Sequence, residues 1–357
     1  MKYSYKIFDS VNEECKEIWT NKENFFSCTF FQDIKFIEEL VANTDNKLKI
    51  VVIFCDKKVI AILPLEIKKY FFINVLQWIG TEYADYCNPV FSKDFNTNFD
   101  KKLFLNIWAK IIEELKPNLD LIFFNNQLQK INDFTNPFVE NFKTINFSKV
   151  YSIDFQGDFN DYKENIKKKD KNHAYEIHRT LIKYEKLKKI SKNIGVEIKD
   201  SLYDTSDIDN IIKEKKDQLY KKNIPNKLGS QFKKIFKNLI KSKKINFYLI
   251  SLMVNNQAIS KCFGFVYLNT YYYYIPTILP NSFSNYKPGK ILIVEIIQWC
   301  IKNNIKKFDF GLGSEKYKKH FSNKETNLHR YINFYTLKGS IVFISILLIL
   351  KIKKLWL

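Results

Sequence analysis

The most informative stretch of the sequence is residues 285–321, NYKPGKILIVEIIQWCIKNNIKKFDFGLGSEKYKKHF. Its pattern predicts a loop, a buried helix, a short strand, a tight turn and a second helix. The helix predicted from Lys290 to Asn303 is apolar nearly all round, which is typical of a helix that is buried on most sides. The strand predicted from Lys307 to Phe310 places the polar Asp309 between two phenylalanines. Most of the candidate functional residues discussed below lie within this stretch.

Glycine is scarce in the chain, which has nine, yet Gly289, Gly311 and Gly313 all fall within this stretch. Glycine is used where the backbone needs a positive φ or where a ligand approaches closely. Pro288 and Gly289 precede a run of helix formers, and such a helix start offers unpaired N–H groups and the positive end of the helix dipole. We therefore interpret Lys287, Gly289 and Lys290 as a candidate anion site. The alternative is that the Pro-Gly pair only begins the helix.

Composition describes a globular protein large enough for two domains. The chain has 357 residues, of which 46% are hydrophobic and 16% aromatic, so it can bury sizeable cores. The formal net charge is +20, which raises the question of a nucleic-acid or membrane partner. Of the 58 basic residues only Arg179 and Arg330 are arginine. Lysines spread over the whole chain favour a generally solvated surface over a dedicated polyanion site.

Several classes of protein are disfavoured by the sequence. The six cysteines form no CxxC pair and lie mostly in apolar runs, which indicates buried thiols in a reducing compartment. The four histidines have no metal-like spacing, so we predict no metal site. No charged start with an apolar core marks a signal peptide, and no apolar run reaches the length of a membrane span. We therefore expect a cytoplasmic protein.

Strand and helix patterns indicate two α+β halves. The first half predicts an edge strand at Met1–Ile7, a hairpin, a third strand, a helix at Asp100–Leu115 and a further strand. The second half predicts three strands, with Asn255 and Asn256 as a tight hairpin turn, before the 285–321 stretch. The predicted domains are residues 1–155, a basic linking helix at 156–192, residues 193–338, and an apolar and basic C-terminal helix at 339–357.

The second half resembles a known family of enzymes. A tyrosine-rich strand, the Pro288-Gly289 helix, and Asp309-Phe310 followed by Gly311 and Tyr317-Lys318 are similar to the GNAT-type acyltransferases related to the cellulose-biosynthesis protein CelD (BioF2-like), distant relatives of the FemAB aminoacyl transferases. Weaker similarity lies in the first half at Leu63-Pro64-Leu65, Gly80 and Ala84-Asp85-Tyr86. The resemblance spans Phe30 to Tyr335. It implies an α+β fold of two tandem GNAT-like domains in a FemAB-like architecture.

The resemblance also implies roles for individual residues. Tyr317 corresponds to the general acid that protonates the leaving thiolate. Asp309 would orient the acceptor or act as a base; its alternative role is to cap the turn at Gly311 or pair with Lys318, itself a candidate substrate-binding residue. The remaining candidates for substrate binding are Asp85, Tyr86 and Arg179. The first two would line a cleft between domains, and Arg179 lies on a lysine-rich helix that could equally be a solvated linker.

Together these features predict an acyltransferase of the GNAT superfamily. The expected donor is an acyl thioester, with acyl-CoA as co-substrate and no tightly bound cofactor, and the acceptor is an amine or hydroxyl of an envelope saccharide, lipid precursor or amino compound. Two alternatives stay open. The basic charge suits a FemAB-like transferase that uses aminoacyl-tRNA. GNAT enzymes usually have more than one glycine in the loop that binds the phosphates of the donor, whereas this chain has only Gly289 there, which suits a non-catalytic polysaccharide-assembly protein.

The C-terminal stretch from residue 340, SIVFISILLILKIKKLWL, predicts a helix that packs on the second domain. Its apolar part is too short to span a bilayer. The alternative is a helix that lies on the anionic inner membrane face, with Lys351, Lys353, Lys354 and Trp356 at the headgroups.

Overall fold

The computed structural model describes residues 1–21, 27–200, 205–225, 228–243 and 245–355. The chain divides into two compact units. The first unit comprises Met1–Ser148 together with Asn327–Leu357, and the second unit comprises Lys149–Thr326. This division differs from the predicted domains, because the end of the chain returns to the first unit and the predicted linking stretch lies inside the second.

The chain alternates strands and helices throughout its described length. The strands are β1 (Tyr3–Phe8), β2 (Lys47–Cys55), β3 (Lys58–Tyr70), β4 (Ile73–Trp78), β5 (Val90–Phe91), β6 (Leu121–Leu128), β7 (Lys130–Ile131), β8 (Phe134–Thr135), β9 (Thr144–Asp154), β10 (Ile194–Asp200), β11 (Asn246–Val254), β12 (Gln257–Tyr267), β13 (Thr270–Ile278), β14 (Lys307–Asp309) and β15 (Lys324–Phe334). The α-helices are α1 (Glu13–Thr20), α2 (Ile34–Val41), α3 (Phe95–Asn98), α4 (Lys101–Leu115), α5 (Pro137–Asn141), α6 (Phe159–Lys169), α7 (Lys171–Ile190), α8 (Ser206–Tyr220), α9 (Ser230–Lys241), α10 (Pro288–Lys302), α11 (Lys316–Phe321) and α12 (Leu337–Leu355).

The first unit is built on a sheet in the order β1-β2-β3-β4-β6-β15, with β1 at its edge. The pair β4–β6 is parallel and the other neighbours are antiparallel. A parallel pair needs a crossover connection, and α4 lies in that connection. The last strand comes from the far end of the chain, where Leu328–Phe334 of β15 pair with β6. The first unit is therefore completed by a strand that follows the whole second unit in sequence.

The second unit repeats this plan with β10-β11-β12-β13-β14-β9. Here β13–β14 is the parallel pair and α10 is its crossover helix. The hairpin between β11 and β12 turns at Asn255 and Asn256, whose φ angles are 50° and 64°. Left-handed residues at both positions give the turn whose twist matches a tight hairpin, so the predicted turn is confirmed. Each unit thus runs from an antiparallel meander through a helix to a parallel strand, and the predicted α+β, tandem GNAT-like fold class is confirmed.

The core of the second unit forms around α10, as its apolar pattern predicts. The buried residues of this helix include Ile291, Leu292, Ile293, Val294, Ile296, Ile297 and Cys300. Helices α6 and α7 pack into the same core through Ile166, Ile177 and Leu187. The single linking helix predicted at residues 156–192 is in fact two helices, because Asp170 breaks it and its carboxylate caps α7 by accepting from the Asn172 N–H. These helices are therefore core elements and not a solvated linker.

The C-terminal helix α12 belongs to the first unit. Val342, Phe343 and Ile346 pack against a cluster that contains Ile73 and Leu121. The prediction that this helix packs on the second domain is wrong, because β15 brings the chain back to the first unit before α12 begins. Trp356 lies outside the described residues. Within the residues that the structure describes, no helix is both long and apolar enough to cross a membrane.

Candidate functional site

The sheet of the second unit opens where β13 and β14 part. Their pairing runs from Thr270–Lys307 to Tyr272–Asp309, whereas β13 continues to Ile278. On the other side of β13, the Leu279 N–H donates to the Ile259 carbonyl at 3.1 Å. Because backbone groups alternate in direction along an antiparallel pair, the Pro276 carbonyl points away from β12 and toward the open side. The second half of β13 therefore has an edge that is free of β14, and its Pro276 carbonyl accepts from Lys215 Nζ at 2.6 Å instead.

The start of α10 is open as well. Lys287 is the N-cap residue and has a left-handed backbone, with φ 59° and ψ 58°. Pro288 follows at the first helical position and has no N–H to satisfy. Across the described residues, no side chain caps this end of the helix. The Lys290 N–H already donates to the Lys287 carbonyl at 2.9 Å. The helix start therefore offers an anion the Gly289 N–H and the positive end of the helix dipole.

A pocket lined by basic side chains lies at this helix start. Its lining residues are Glu176, Arg179, Thr180 and Lys183 from α7, with Lys287 and Lys290. Lys290 Nζ donates to Glu176 Oε2 at 2.7 Å, and Arg179 Nη1 lies 3.6 Å from Glu176 Oε1. Lys183 Nζ donates to the Asn285 carbonyl at 2.9 Å. We call these six residues the basic pocket; they carry four cationic groups and one carboxylate.

The pKa shifts in the basic pocket reflect this excess of positive charge. The hydrogen bond from Lys290 lowers the pKa of Glu176, with Arg179 contributing to the shift. Burial lowers the pKa of Lys183, and the neighbouring charges of Arg179, Lys287 and Lys290 lower it further. Cations that repel one another are stabilised by a bound anion, so this geometry suits a phosphate or pyrophosphate group.

Gly289 has a different role from the one its sequence context suggested. It lies in the first turn of α10 without a positive φ. A Cβ at this position would come within 3.0 Å of Ile278 Cδ1. The glycine therefore lets α10 pack closely against β13, and a role in donor binding stays a prediction. The structure does bring together the other candidates of this group, Lys287, Lys290 and Arg179.

A second group of candidate residues surrounds the turn after β14. Asp309 is buried, and its Oδ1 accepts from the Gly311 N–H at 2.8 Å. Gly311 and Gly313 have φ angles of 65° and 113°, which only glycine adopts readily. Lys318 is buried too; its Nζ donates to the Leu312 carbonyl at 2.7 Å and lies 3.0 Å from Glu315 Oε2. Asp309 and Lys318 thus hold the turn that precedes Tyr317.

Tyr317 is the second residue of α11, and its ring packs edge-on against Phe310 at 6.4 Å between centroids. Burial raises the pKa of Tyr317 well above its usual range, and the Glu315 carboxylate adds to the shift. The hydroxyl therefore keeps its proton at every physiological pH. Such a group can donate a proton to a newly formed anion but cannot serve as a base.

Sequence analysis did not identify Lys215 on α8 as a functional residue. Its Nζ donates to the Pro276 carbonyl at 2.6 Å, at the open half of β13. Burial lowers the pKa of Lys215 to about 8, and Glu315 and Lys318 are among the charges that affect it. Glu315 acts on the pKa of Tyr317 as well. The Glu315 carboxylate therefore influences both Lys215 and Tyr317, a connection between α8 and α11 that the sequence alone does not indicate.

Asp85 and Tyr86 lie in the first unit. Tyr86 is buried; its ring packs against Phe31 at 6.0 Å and its carbonyl accepts from Gln32 Nε2 at 2.7 Å. Asp85 is half-buried in the same loop. Tyr86 thus has a packing role in its own unit, and substrate binding by this pair stays a prediction.

Comparisons with known proteins agree with this geometry. Residues 172–319 match the family model of the acetyltransferase (GNAT) domain, a range that contains the basic pocket, Lys215 and Tyr317. The structure is similar to the crystal structure of FemX, with a TM-score of 0.54 and 9% identity over 92% of this chain and 97% of that chain. It is also similar to a tandem GNAT protein from the clavulanic acid biosynthesis pathway, with a TM-score of 0.50 and 5% identity over 93% and 98% of the two chains.

At these identities the structural likeness shows the fold and nothing more. No curated protein sequence matches the chain. The closer resemblance to the CelD-related family stays a prediction. The chain has a tandem GNAT-like fold, and residues 172–319 of its second unit match the acetyltransferase (GNAT) domain model.

Proposed function

We propose that the second unit transfers an acyl group from a coenzyme A thioester to an amine or hydroxyl acceptor. The observation that carries the proposal is the position of the basic pocket at the uncapped start of α10, which packs directly against the open half of β13. An anionic donor held by the pocket would extend its thioester along this free edge. The acceptor belongs to the class predicted above, a saccharide, lipid precursor or amino compound.

The basic pocket would bind the pyrophosphate of the donor. Arg179 offers a planar fork of donors that can bind two phosphate oxygens at once, whereas lysine acts as a single charge. Lys183, Lys287 and Lys290 would supply that charge, and the Gly289 N–H at the start of α10 would supply a directed hydrogen bond. Before the donor binds, Glu176 holds the Lys290 side chain in place through their hydrogen bond. Acyl-CoA would therefore bind and dissociate in each turnover as a co-substrate, and it would not be a tightly bound cofactor.

The transfer step would need one proton acceptor and one proton donor. The acceptor nitrogen or oxygen attacks the thioester carbonyl carbon, the new C–N or C–O bond forms, and the C–S bond breaks. In its neutral form, Lys215 would take the proton from the attacking group, because it lies at the Pro276 carbonyl on the open edge. Tyr317 would give its proton to the departing thiolate, whose pKa is also raised in a site that excludes water.

The experiment that tests the proposal is donor binding by the full chain. Acetyl-CoA, longer acyl-CoAs and free CoA should each raise the melting temperature, since a ligand that binds only the folded state stabilises it. A Lys287→Asp variant should bind CoA about 100-fold more weakly, because it places a carboxylate at the helix start where the pyrophosphate would lie. Asp tolerates the left-handed backbone of this position, so the variant should fold.

A matched control is Lys57→Asp. Lys57 is an exposed lysine with a φ of 71° in the hairpin of the first unit, so it shares the charge and the backbone of Lys287 without the pocket. Loss of CoA binding in both variants would mean that only the total charge matters. Stabilisation by tRNA alone would favour an aminoacyl-tRNA-dependent transferase, and no shift with any of these ligands would favour a non-catalytic binding protein.

A further inference from the structure

Helix α12 has apolar side chains on two faces, and only one face is used by the protein. Val342, Phe343 and Ile346 pack inward on the first unit. On the outward side Ile341 is 64% exposed, and Ile344 and Leu348 are each 55% exposed. Contiguous exposed apolar surface of this kind marks an interaction site in soluble proteins. We call the outward residues Ile341, Ile344, Leu348 and Ile349 the outer face of α12.

The turn between β3 and β4 exposes two aromatic side chains. Phe71 is 95% exposed and Phe72 is 62% exposed. Phe71 also has a φ of 51°, a left-handed backbone that is unfavourable for any residue with a large side chain. Phe71 and Phe72, which we call the aromatic tip, therefore indicate contact with something outside the protein.

The aromatic tip and α12 belong to the same region of the first unit. Tyr70 and Ile73 flank the tip directly, and both belong to the cluster in which Val342, Phe343 and Ile346 pack. The inner side of α12 and the base of the tip are thus joined by one set of contacts. A partner that covers the outer face of α12 is therefore within reach of the tip as well.

Basic residues predominate in this region, although the Asp120 carboxylate accepts from Thr336 and from the Asn74 N–H at the base of α12 and the tip. Residues 337–355 contain four lysines, Lys338, Lys351, Lys353 and Lys354, and no acidic residue. Lys69, next to the aromatic tip, is exposed. An apolar helix face with basic residues and nearby exposed aromatic rings is the composition that binds at the boundary between lipid headgroups and acyl chains. The charge of this region complements an anionic surface.

We propose that the first unit docks on an anionic lipid surface through the outer face of α12 and the aromatic tip. The apolar side chains would enter the headgroup–acyl boundary, and the positive charge of the 337–355 sequence would attract the anionic headgroups. Helix α12 lies on the membrane in this arrangement and does not cross it. The proposal rests on residues of the first unit and is independent of acyl transfer by the second.

The test is co-sedimentation of the full chain with lipid vesicles. Vesicles of phosphatidylcholine mixed with phosphatidylglycerol should bind the protein, vesicles of phosphatidylcholine alone should bind it weakly, and added salt should release it. The double variants Phe71→Ser/Phe72→Ser and Ile344→Ser/Leu348→Ser should each reduce the bound fraction about tenfold, because each removes two apolar side chains from the buried contact. All four side chains are exposed, so both variants should keep the melting temperature of the wild type.

The control uses exposed aromatic residues of the second unit. Tyr175→Ser/Tyr220→Ser removes two exposed rings outside this region and should leave vesicle binding unchanged. Absence of binding to the anionic vesicles would overturn the proposal, as would equal binding by all three double variants. A wild-type dimer in solution that both first-unit variants convert to a monomer, without vesicle binding, would show that a second copy covers this surface instead.

Discussion

The two crossover helices of the molecule begin in opposite ways. Helix α4 connects the parallel strands of the first unit and is capped by Asp100, whose carboxylate accepts from the Leu103 N–H at 2.8 Å. Helix α10 holds the same place in the second unit, but it begins at Lys287 beside the basic pocket. A carboxylate cap occupies an N–H that an anion would use and repels the anion as well. One copy of the fold is therefore closed to anions at this position, and the other is open.

The short helices α5 and α11, which follow the parallel strands of the two units, also differ in polarity at one position. The second residue of α5 is Phe138, which is buried among rings that include Trp108 and Phe124. The second residue of α11 is Tyr317, which adds a hydroxyl to a similar apolar surrounding. The first unit has a phenyl ring where the second has the phenol that we propose as the proton donor. The fold is shared, so in our proposal the side chains at these two positions distinguish the unit that transfers the acyl group from the one that does not.

Substitution of Lys215 is the most severe test of the difference between the two units, because acyl transfer by the second unit needs a proton acceptor. Lys215→Met keeps the shape of the side chain and should lower kcat/KM about 10³-fold, within the range for a lost general base. In the wild type the rate should rise with pH through about 8, because Lys215 must lose its proton to act. The variant should lose this rise in a pH–rate profile. An unchanged profile would exclude Lys215 as the base, and Lys213→Met, on the exposed side of α8, serves as the control.

Tyr317→Phe would make the second unit resemble the first at this position. We expect kcat to fall about 10²-fold, less than for Lys215, because a thiolate can leave without full protonation. The affinity for acyl-CoA should not change, since the hydroxyl would act only as the C–S bond breaks. Release of free thiol from acetyl-CoA in the presence of an acceptor measures kcat, and calorimetry measures the affinity for acyl-CoA. Wild-type turnover in the variant would leave Tyr317 with a packing role only.

The Arg179→Lys substitution tests whether the basic pocket needs the planar guanidinium group to bind phosphate or only its positive charge. The substitution keeps the charge but removes the planar fork, so we expect CoA to bind about tenfold more weakly. The affinity can be measured by calorimetry at two salt concentrations. If charge alone matters, the variant will bind CoA as the wild type does, and its binding will have the same salt dependence.

Asp100→Ala should have the smallest effect and should act on stability alone. Loss of the cap on α4 should lower the free energy of unfolding by about 1 kcal/mol, as measured by chemical denaturation. CoA binding should be unaffected, because the first unit has no role in it. A change in CoA affinity would contradict the assignment of donor binding to the second unit.

Local signals account for the parts of the fold that the sequence predicts well. The apolar run of α10, the Pro288-Gly289 start, the Asn255-Asn256 turn and the glycine turn after Asp309 each depend on a few neighbouring residues. The same holds for Lys287 and Lys290, which adjoin the helix start. The pocket they share with Arg179 was foreseen only in part, because Glu176 and Lys183 gave no signal among so many charged residues.

The missed elements depend on distant partners. Strand β10 is short and largely exposed, with Glu197, Lys199 and Asp200 among its seven residues, and it is fixed as a strand by its pairing with β11. Strand β9 has no clean alternation and is fixed by β14, more than a hundred residues away. Strand β15 ends at Phe334 and α12 begins at Leu337, two residues before the C-terminal helix predicted from residue 339. Lys215 is one of 58 basic residues, and its partner Pro276 is distant in sequence.

The return of β15 to the first unit governs the order in which the newly made protein can fold. On the ribosome, the 200 residues from Leu128 to Leu328 must be added before β15 can reach β6, which takes about 10–40 s at typical rates of translation. During that time the edge of β6 is open to wrong partners. The second unit, Lys149–Thr326, emerges whole in the interval. The half of the molecule that is translated first is therefore the half that finishes folding last.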